Sequence, residues 1–197
     1  MRRGMAAPPK PNPPIAPSGA ARALATPVGL LGLGVEGRES LRWLLGHGVT
    51  EIEIFDSAIT APPDGLASLP ASVRFRGGEG WEATLPPCGT VVRSPGIRPD
   101  HPALLAARAS GTVVTSATRL FLAHCPTTVV GVTGTVGKGT TVSLIEAALL
   151  GAGRAVRVGS NIGVNPLAFL DELTPADTVV LELSSFQLMD LETDHPR

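Results

Sequence analysis

A glycine-rich turn in the second half of the chain has the residue types that hold a phosphate chain. Residues 131–141 read GVTGTVGKGTT and lie between an apolar run, residues 128–132, and an amphipathic helical pattern. Small residues let several backbone N–H groups converge on phosphate oxygens, and a lysine ammonium can reach the β and γ oxygens. The turn therefore predicts a nucleotide-phosphate site, formed by Gly134, Thr135, Val136, Gly137, Lys138, Gly139 and Thr140.

The same turn departs from the common phosphate-loop pattern at two positions. Val132 stands where that pattern has its first glycine, and Gly139 stands where a serine or threonine normally supplies the hydroxyl that holds Mg²⁺. Thr140, or a water molecule, would have to replace that hydroxyl. A tight turn that binds no ligand is the alternative interpretation.

A carboxylate near the end of a later apolar run could complete this site. Residues 178–183 read TVVLEL, the pattern of a buried strand, with Glu182 near its carboxyl end. Ligands of parallel α/β sheets lie at that edge, so Glu182 could reach the metal of a bound nucleotide. We predict Thr140 and Glu182 as metal ligands, and a solvated acid at the strand end is the alternative for Glu182.

A second glycine turn, residues 32–37 (GLGVEG), follows an apolar run near the beginning of the chain. Its glycines allow a tight turn and close approach of a diphosphate to a helix N-terminus. Asp56 lies about 20 residues further on, at the end of the next strand pattern, where an acid can accept from a ribose hydroxyl. This arrangement favours a nicotinamide dinucleotide when taken alone. A ligand-free turn, with Asp56 as a turn or helix cap, is the alternative.

The elements that position these turns alternate between short apolar runs and helical periodicity, which predicts an α/β fold with parallel sheets. We predict strands at residues 28–33, 52–55, 73–75, 91–92, 113–115, 128–132, 156–158 and 178–183. Predicted helices lie at residues 38–45, 102–109, 118–123, 140–150 and 166–170. Because each glycine turn normally opens its own domain, we expect a disordered proline-rich tail (1–27), a Rossmann-like domain (28–125) and a partial ATP-binding domain (126–197).

Composition excludes several classes of function. The chain has 197 residues, 43% of them hydrophobic, and a formal net charge of −1, so it lacks the positive field that binds nucleic acid. No apolar run approaches the roughly 20 residues of a transmembrane helix. With Cys88 and Cys125 alone, neither a disulfide framework nor a zinc cluster is expected, and a cytoplasmic location is the simplest interpretation.

Several motifs together resemble the Mur ligase family, within it the members that add D-glutamate. They are residues 94–102 (SPGIRPDHP), 119–121 (RLF), 134–138 (GTVGK), 159–163 (GSNIG) and 181–188 (LELSSFQL). The resemblance extends in order from residue 28 to residue 197.

The resemblance implies an ATP- and Mg²⁺-dependent ligase that joins D-glutamate to UDP-N-acetylmuramoyl-L-alanine through an acyl phosphate, in peptidoglycan precursor synthesis. Lys138 and Glu182 would then be the catalytic residues, because phosphoryl transfer depends on positioning and on charge neutralisation by lysine and magnesium. The first turn would hold the uridine nucleotide and no nicotinamide. The implied substrate-binding residues are Gly34, Val35, Glu36, Asp56, Ser57, Ser94, Pro95, Gly96 and Asn161.

The resemblance further implies that the second metal's ligands and a D-glutamate-binding domain lie beyond Arg197, so we expect residues 1–197 alone not to turn over. Three alternatives stay open at this point. They are another ligase of the Mur or folylpolyglutamate type, a non-catalytic nucleotide-binding or regulatory module marked by Gly139, and a nicotinamide dehydrogenase, which would leave Lys138 and Glu182 without a role.

Overall fold

The computed structural model describes residues 24–62, 69–81, 85–160 and 163–191. The predicted tail, residues 1–27, lies outside this part of the chain except for its last residues, and so do Asn161 and the six residues from 192 to 197.

A five-stranded parallel sheet occupies the first part of the chain. Its strands are β1 (Val28–Leu31), β2 (Ile52–Asp56), β3 (Val73–Gly77), β4 (Thr90–Arg93) and β5 (Val113–Ser116), in the order β3-β2-β1-β4-β5. Helices α1 (Val35–Gly46), α2 (Pro102–Ala109) and α3 (Ala117–His124) connect or follow them. The order reverses between β1 and β4, and in doubly wound sheets a ligand crevice opens at that switch point.

A three-stranded parallel sheet follows. Its strands are β6 (Thr128–Val132), β7 (Val156–Ser160) and β8 (Thr178–Glu182), in the order β6-β8-β7, and helix α4 (Lys138–Gly151) joins β6 to β7. Helix α5 (Ser185–Leu191) begins directly after β8. Because β8 lies in the middle, its last residue is flanked on both sides by the ends of the neighbouring strands.

The predicted α/β class with parallel sheets is confirmed, and each of the eight predicted strands coincides with a strand of the structure. The predicted helix at residues 166–170 is wrong. Two short 3₁₀ turns, Pro166–Ala168 and Leu170–Glu172, occupy this segment, and the Asn165 side chain caps the first by accepting from the Leu167 N–H at 3.0 Å. Such local side-chain bonds compete with continued α-helix.

Helix α5 was not predicted, although the sequence contains a signal for its start. The Ser184 hydroxyl accepts from the Gln187 N–H at 3.2 Å, and the Gln187 side chain accepts from the Ser184 N–H at 2.9 Å. This reciprocal pair is a capping box, which satisfies two backbone donors at a helix N-terminus.

The two sheets share one hydrophobic core. Helices α1 and α3 of the first part pack against the 3₁₀ turns of the second, with the Phe121 and Phe169 rings edge to face at 5.9 Å. The same cluster of buried side chains contains Val28 of β1 and Val179 of β8. The division into two domains at residues 125/126 stays a prediction.

No helix in the described ranges has the length and apolarity needed to cross a membrane.

Two glycines of the first turn are required by the fold itself. Gly32 has φ +88°, a left-handed conformation that other residues rarely adopt. A Cβ on Gly37 would lie 2.0 Å from the Gly32 carbonyl oxygen, so α1 approaches the end of β1 closely only because this side chain is missing. These two residues make the turn compact whether or not it binds a ligand.

Replacing Gly37 by alanine should therefore destabilise the chain by about 2 kcal/mol or more, since the new methyl group meets backbone on a packed turn. The matched control is Gly46→Ala in the same helix, where an added Cβ meets no atom of the described part of the chain within 4 Å. That change should stabilise the chain by about 0.5 kcal/mol through helix propensity. Urea unfolding measures both, and equal stability of the two variants would contradict the packing role of Gly37.

Candidate functional site

The phosphate-type turn joins β6 to α4 through residues 133–137. Gly134 has φ +151° and Gly137 has φ +81°, so both positions favour glycine for conformational reasons. Lys138 is the first residue of α4, and its ammonium donates to the Gly134 carbonyl oxygen at 3.0 Å. The lysine thus folds back over the turn, and its donors lie beside the loop that would hold phosphate.

Helix α4 begins next to the carboxylate at the end of β8. In the strand register Glu182 pairs with Val132 on one side and with Ser160 on the other. The Ser160 hydroxyl donates to Glu182 Oε2 at 3.4 Å, and a Cβ on Gly139 would lie 3.8 Å from the same oxygen. The structure therefore brings the turn, the first turn of α4 and Glu182 together at one sheet edge, as expected. Their binding roles stay predictions.

Thr140 lies on the outer side of α4. It is exposed, whereas Val142 is buried against the sheet, and two helical positions are about 200° apart around the axis. This placement argues against the Thr140 hydroxyl as the replacement for a hydroxyl at position 139. Within the described residues, no group of three or more His, Cys, Asp or Glu side chains is arranged to hold a metal ion.

A cavity of about 650 Å³ opens at the carboxyl edge of the first sheet. Four of the predicted substrate-binding residues line it: Asp56, Ser57, Ser94 and Gly96. Gly32, at the end of β1, also lines it, which places the cavity at the switch point of the strand order.

Asp56 anchors the turns around this cavity. Its carboxylate accepts from the N–H groups of Leu33 at 2.7 Å, Ala58 at 2.9 Å and Ile59 at 3.1 Å. The alternative interpretation of Asp56 as a turn cap is thus observed. The predicted contact between Asp56 and a nucleotide stays a prediction, because a carboxylate oxygen can accept more than one hydrogen bond.

Aromatic side chains form part of the cavity wall, and the sequence analysis missed them. The Trp81 and His101 rings stack with centroids 5.4 Å apart, and the Phe55 ring lies 6.4 Å from Trp81. Arg98 and Asp100 line the rim and form a two-pronged ion pair at 2.9 and 2.7 Å. The SPGIRPDHP motif could have indicated Arg98, Asp100 and His101, which it contains. Trp81 lies outside every motif.

The other predicted substrate residues differ in their placement. Among the residues that the structure describes, none comes within 4 Å of a Cβ built on Gly34, so these residues leave open space there. Val35 is 74% exposed at the start of α1. Pro95 follows Ser94 at the cavity, and Asn161 lies outside the described residues.

Glu36 turns toward the second sheet. Its carboxylate accepts from the Gln187 side chain of α5 at 3.3 Å. Burial raises the pKa of Glu36 above its ordinary value, and the positive charge of Arg93 offsets this only in part. The side chain therefore joins α1 to α5.

A buried ion pair makes the second connection between the two parts. Arg93, the last residue of β4, is 3% exposed and pairs with the Asp190 carboxylate of α5. Burial, together with the charge of Arg108, lowers the Arg93 pKa to about 10, so the guanidinium is still charged at neutral pH. The Arg93 guanidinium also donates to the carbonyl oxygens of Ser94, at 3.1 Å, and Ile97.

Comparison with known proteins identifies the family. Residues 27–116 match the family model described as Mur ligase MurD-like, N-terminal domain. The chain is 37% identical over 169 residues to the UDP-N-acetylmuramoylalanine--D-glutamate ligase of Ruminiclostridium cellulolyticum, covering 84% of this chain and 36% of the relative. It is 40% identical over 182 residues to the ligase of the same name from Nitrosococcus oceani, covering 90% and 38%.

Among solved structures, the chain is similar to the murein peptide ligase of Psychrobacter arcticus 273-4, with 19% identity and a TM-score of 0.41 over 81% of this chain and 38% of the other.

Two parallel sheets, each with a glycine turn before a helix, define an α/β protein. The chain belongs to the Mur ligase family, and its residues 27–116 correspond to the MurD-like N-terminal domain. It spans a little over a third of the length of the curated relatives it matches.

Removing the Asp190 carboxylate should destabilise the chain strongly, because the Asp190→Ala change leaves the buried Arg93 charge without its partner. The expected loss is about 3 kcal/mol in urea unfolding at neutral pH. The control is Asp171→Ala, which removes an acid that is 69% exposed and 3.3 Å from His47. That loss should stay within about 0.5 kcal/mol. Similar losses for both variants would contradict a structural role of the Arg93–Asp190 pair.

The raised pKa of Glu36 predicts a specific pH dependence of stability. Above the ordinary value of 4.5 the unfolded chain has lost this proton while the folded chain still holds it, so Glu36 lowers stability as the pH rises through that window. Glu36→Gln should remove this decrease in stability. Its stability relative to the unaltered chain should therefore be greater at pH 7 than at pH 4. Urea unfolding across that range checks it, with the exposed Glu51→Gln as control. A parallel pH profile for Glu36→Gln and the unaltered chain would rule the effect out.

Proposed function

We propose that this chain carries the UDP-substrate site and the ATP-phosphate site of a ligase that adds D-glutamate to UDP-N-acetylmuramoyl-L-alanine. The observation that carries the proposal is the convergence of the first turn of α4 and Glu182 at one edge of the second sheet. The names of the relatives support the choice of substrates. Because the chain spans a little over a third of their length, we propose that residues 1–197 bind both nucleotides without turnover.

The cavity of the first sheet suits a uridine diphosphate sugar. It lies at the switch point beside the N-terminus of α1, where backbone N–H groups and the helix dipole favour an anion. The open space at Gly34 lets a diphosphate approach the backbone. The Trp81 and His101 rings line the cavity and offer it aromatic surface for a base.

The turn of the second sheet suits the phosphates of ATP. Lys138 would exchange its bond to the Gly134 carbonyl for phosphate oxygens and neutralise part of their charge. The half-buried Glu182 carboxylate and the neighbouring Ser160 hydroxyl are oxygen donors of the type that Mg²⁺ prefers, so these residues fit the metal. When bound, the metal supplies further neutralisation of phosphate charge, which is most of what phosphoryl transfer requires from a protein.

One observation favours a second candidate, a nucleotide-binding module without catalysis. Gly139 lacks the hydroxyl that usually helps to hold the metal, and Thr140 lies on the outer side of α4. A module of this kind would bind ATP equally well with and without Mg²⁺. A clear increase of affinity with Mg²⁺ excludes it.

The test is a reciprocal pair of variants titrated by calorimetry with UDP-N-acetylmuramoyl-L-alanine and with a non-hydrolysable ATP analogue plus Mg²⁺. Lys138→Ala should weaken binding of the ATP analogue by about 10- to 100-fold, because it removes a charge-assisted contact. It should leave binding of the UDP substrate unchanged. Gly34→Val should fill the open space and weaken the UDP substrate about tenfold or more, with ATP unaffected.

Each variant is the control for the other, and Arg42→Ala controls for the loss of one exposed cation elsewhere. If Lys138→Ala and Arg42→Ala bind the ATP analogue alike, the assigned ATP site is wrong. Phosphate release by residues 1–197 with ATP, the UDP substrate and D-glutamate would refute the absence of turnover.

A further inference from the structure

The metal site proposed above lacks one protein oxygen at position 139. We propose that Ser160 supplies it, so that Ser160 and Glu182 together hold the divalent cation of the bound nucleotide. This inference rests on the proposed ATP function and names a ligand that no feature of the phosphate turn reveals.

The position of Ser160 is fixed by the fold. It is the last residue of β7 and pairs in register with Glu182 of β8. Its backbone N–H donates to the Val164 carbonyl oxygen at 3.0 Å, so this bond holds the residue in addition to the strand pairing. The hydroxyl is therefore placed at the sheet edge by backbone bonds.

The distance between the two side chains matches the needs of a magnesium ion. The Ser160 hydroxyl oxygen lies 3.4 Å from Glu182 Oε2. Adjacent ligands of an octahedral ion at about 2.1 Å are roughly 3 Å apart, so a small rotation of either side chain brings both oxygens onto one ion. Magnesium keeps several waters and phosphate oxygens among its ligands, and two protein oxygens are enough.

Gly139 and Ser160 are both next to the same oxygen of the Glu182 carboxylate. A Cβ on Gly139 would lie 3.8 Å from Glu182 Oε2, an ordinary contact distance, so a serine fits there without strain. The hydroxyl beside Glu182 can thus come from the first turn of α4 or from the end of β7. In this chain it comes from β7.

The experiment measures the binding of Mn²⁺, a spectroscopic substitute for Mg²⁺, to the full chain in the presence of a non-hydrolysable ATP analogue. Electron paramagnetic resonance detects the bound ion. Ser160→Ala should weaken Mn²⁺ binding by about 10- to 100-fold. Adding Gly139→Ser to Ser160→Ala should restore most of the lost Mn²⁺ affinity, because it returns a hydroxyl close to Glu182 Oε2. Ser143→Ala, an exposed serine on α4, is the control and should change nothing.

A second variant tests ligation directly. Ser160→Cys replaces a hard oxygen ligand by a soft sulfur, so it should weaken Mn²⁺ binding and strengthen Cd²⁺ binding. Bound Cd²⁺ should give a new cadmium–thiolate absorption. The unaltered chain, which contains Cys88 and Cys125, gives the background. Circular dichroism verifies that each variant is folded.

The outcomes separate this inference from the proposed function. Loss of Mn²⁺ binding in Glu182→Gln, with normal binding in Ser160→Ala and no cadmium preference in Ser160→Cys, would overturn the role of Ser160 alone. Normal binding in both Glu182→Gln and Ser160→Ala, or no Mn²⁺ binding by the unaltered chain, would overturn the metal site and the proposed ATP function with it.

Discussion

Burial of one guanidinium constrains how the two sheets meet. Arg93 ends β4, so the turn that lines the first cavity follows it directly, and its guanidinium holds the Ser94 and Ile97 carbonyl oxygens of that turn. A buried charge without a partner costs several kcal/mol, and here the partner is Asp190 on α5. Because α5 begins just after Glu182, the cavity turn and the acid of the second site are connected through one short helix.

Both candidate sites follow from the same property of parallel sheets. All strands of a parallel sheet end at one edge, where the following helices point their N-termini and their unpaired N–H groups. The first turn contains glycines that the fold requires and one glycine whose role packing does not explain. Gly32 and Gly37 are required by backbone conformation and close packing, whereas none of the described residues comes within 4 Å of a Cβ built on Gly34. The space at Gly34 is thus the feature of this turn that packing does not account for.

The sequence predicted the strands, the α/β class and the two glycine turns, because apolar runs and glycine spacing are local signals. It missed contacts between residues far apart in the chain. The sequence analysis assigned no role to Arg93, because its burial depends on Asp190, which is 97 positions away. Trp81 and His101 stack only because β3 and α2 bring them to one cavity. The start of α5 was different, since the Ser184 and Gln187 spacing already contains a capping box.

The phosphate turn illustrates where motif reading stops. The phosphate-loop motif assigns the hydroxyl that binds the metal to the serine or threonine directly after the lysine. Binding of the cation depends instead on which oxygens surround it in space, whatever their positions in the sequence. Glu182 Oε2 has two close neighbours from different elements, Gly139 in the first turn of α4 and Ser160 at the end of β7. A missing hydroxyl in the loop therefore does not by itself remove the metal site, because the adjacent strand end reaches the same carboxylate oxygen.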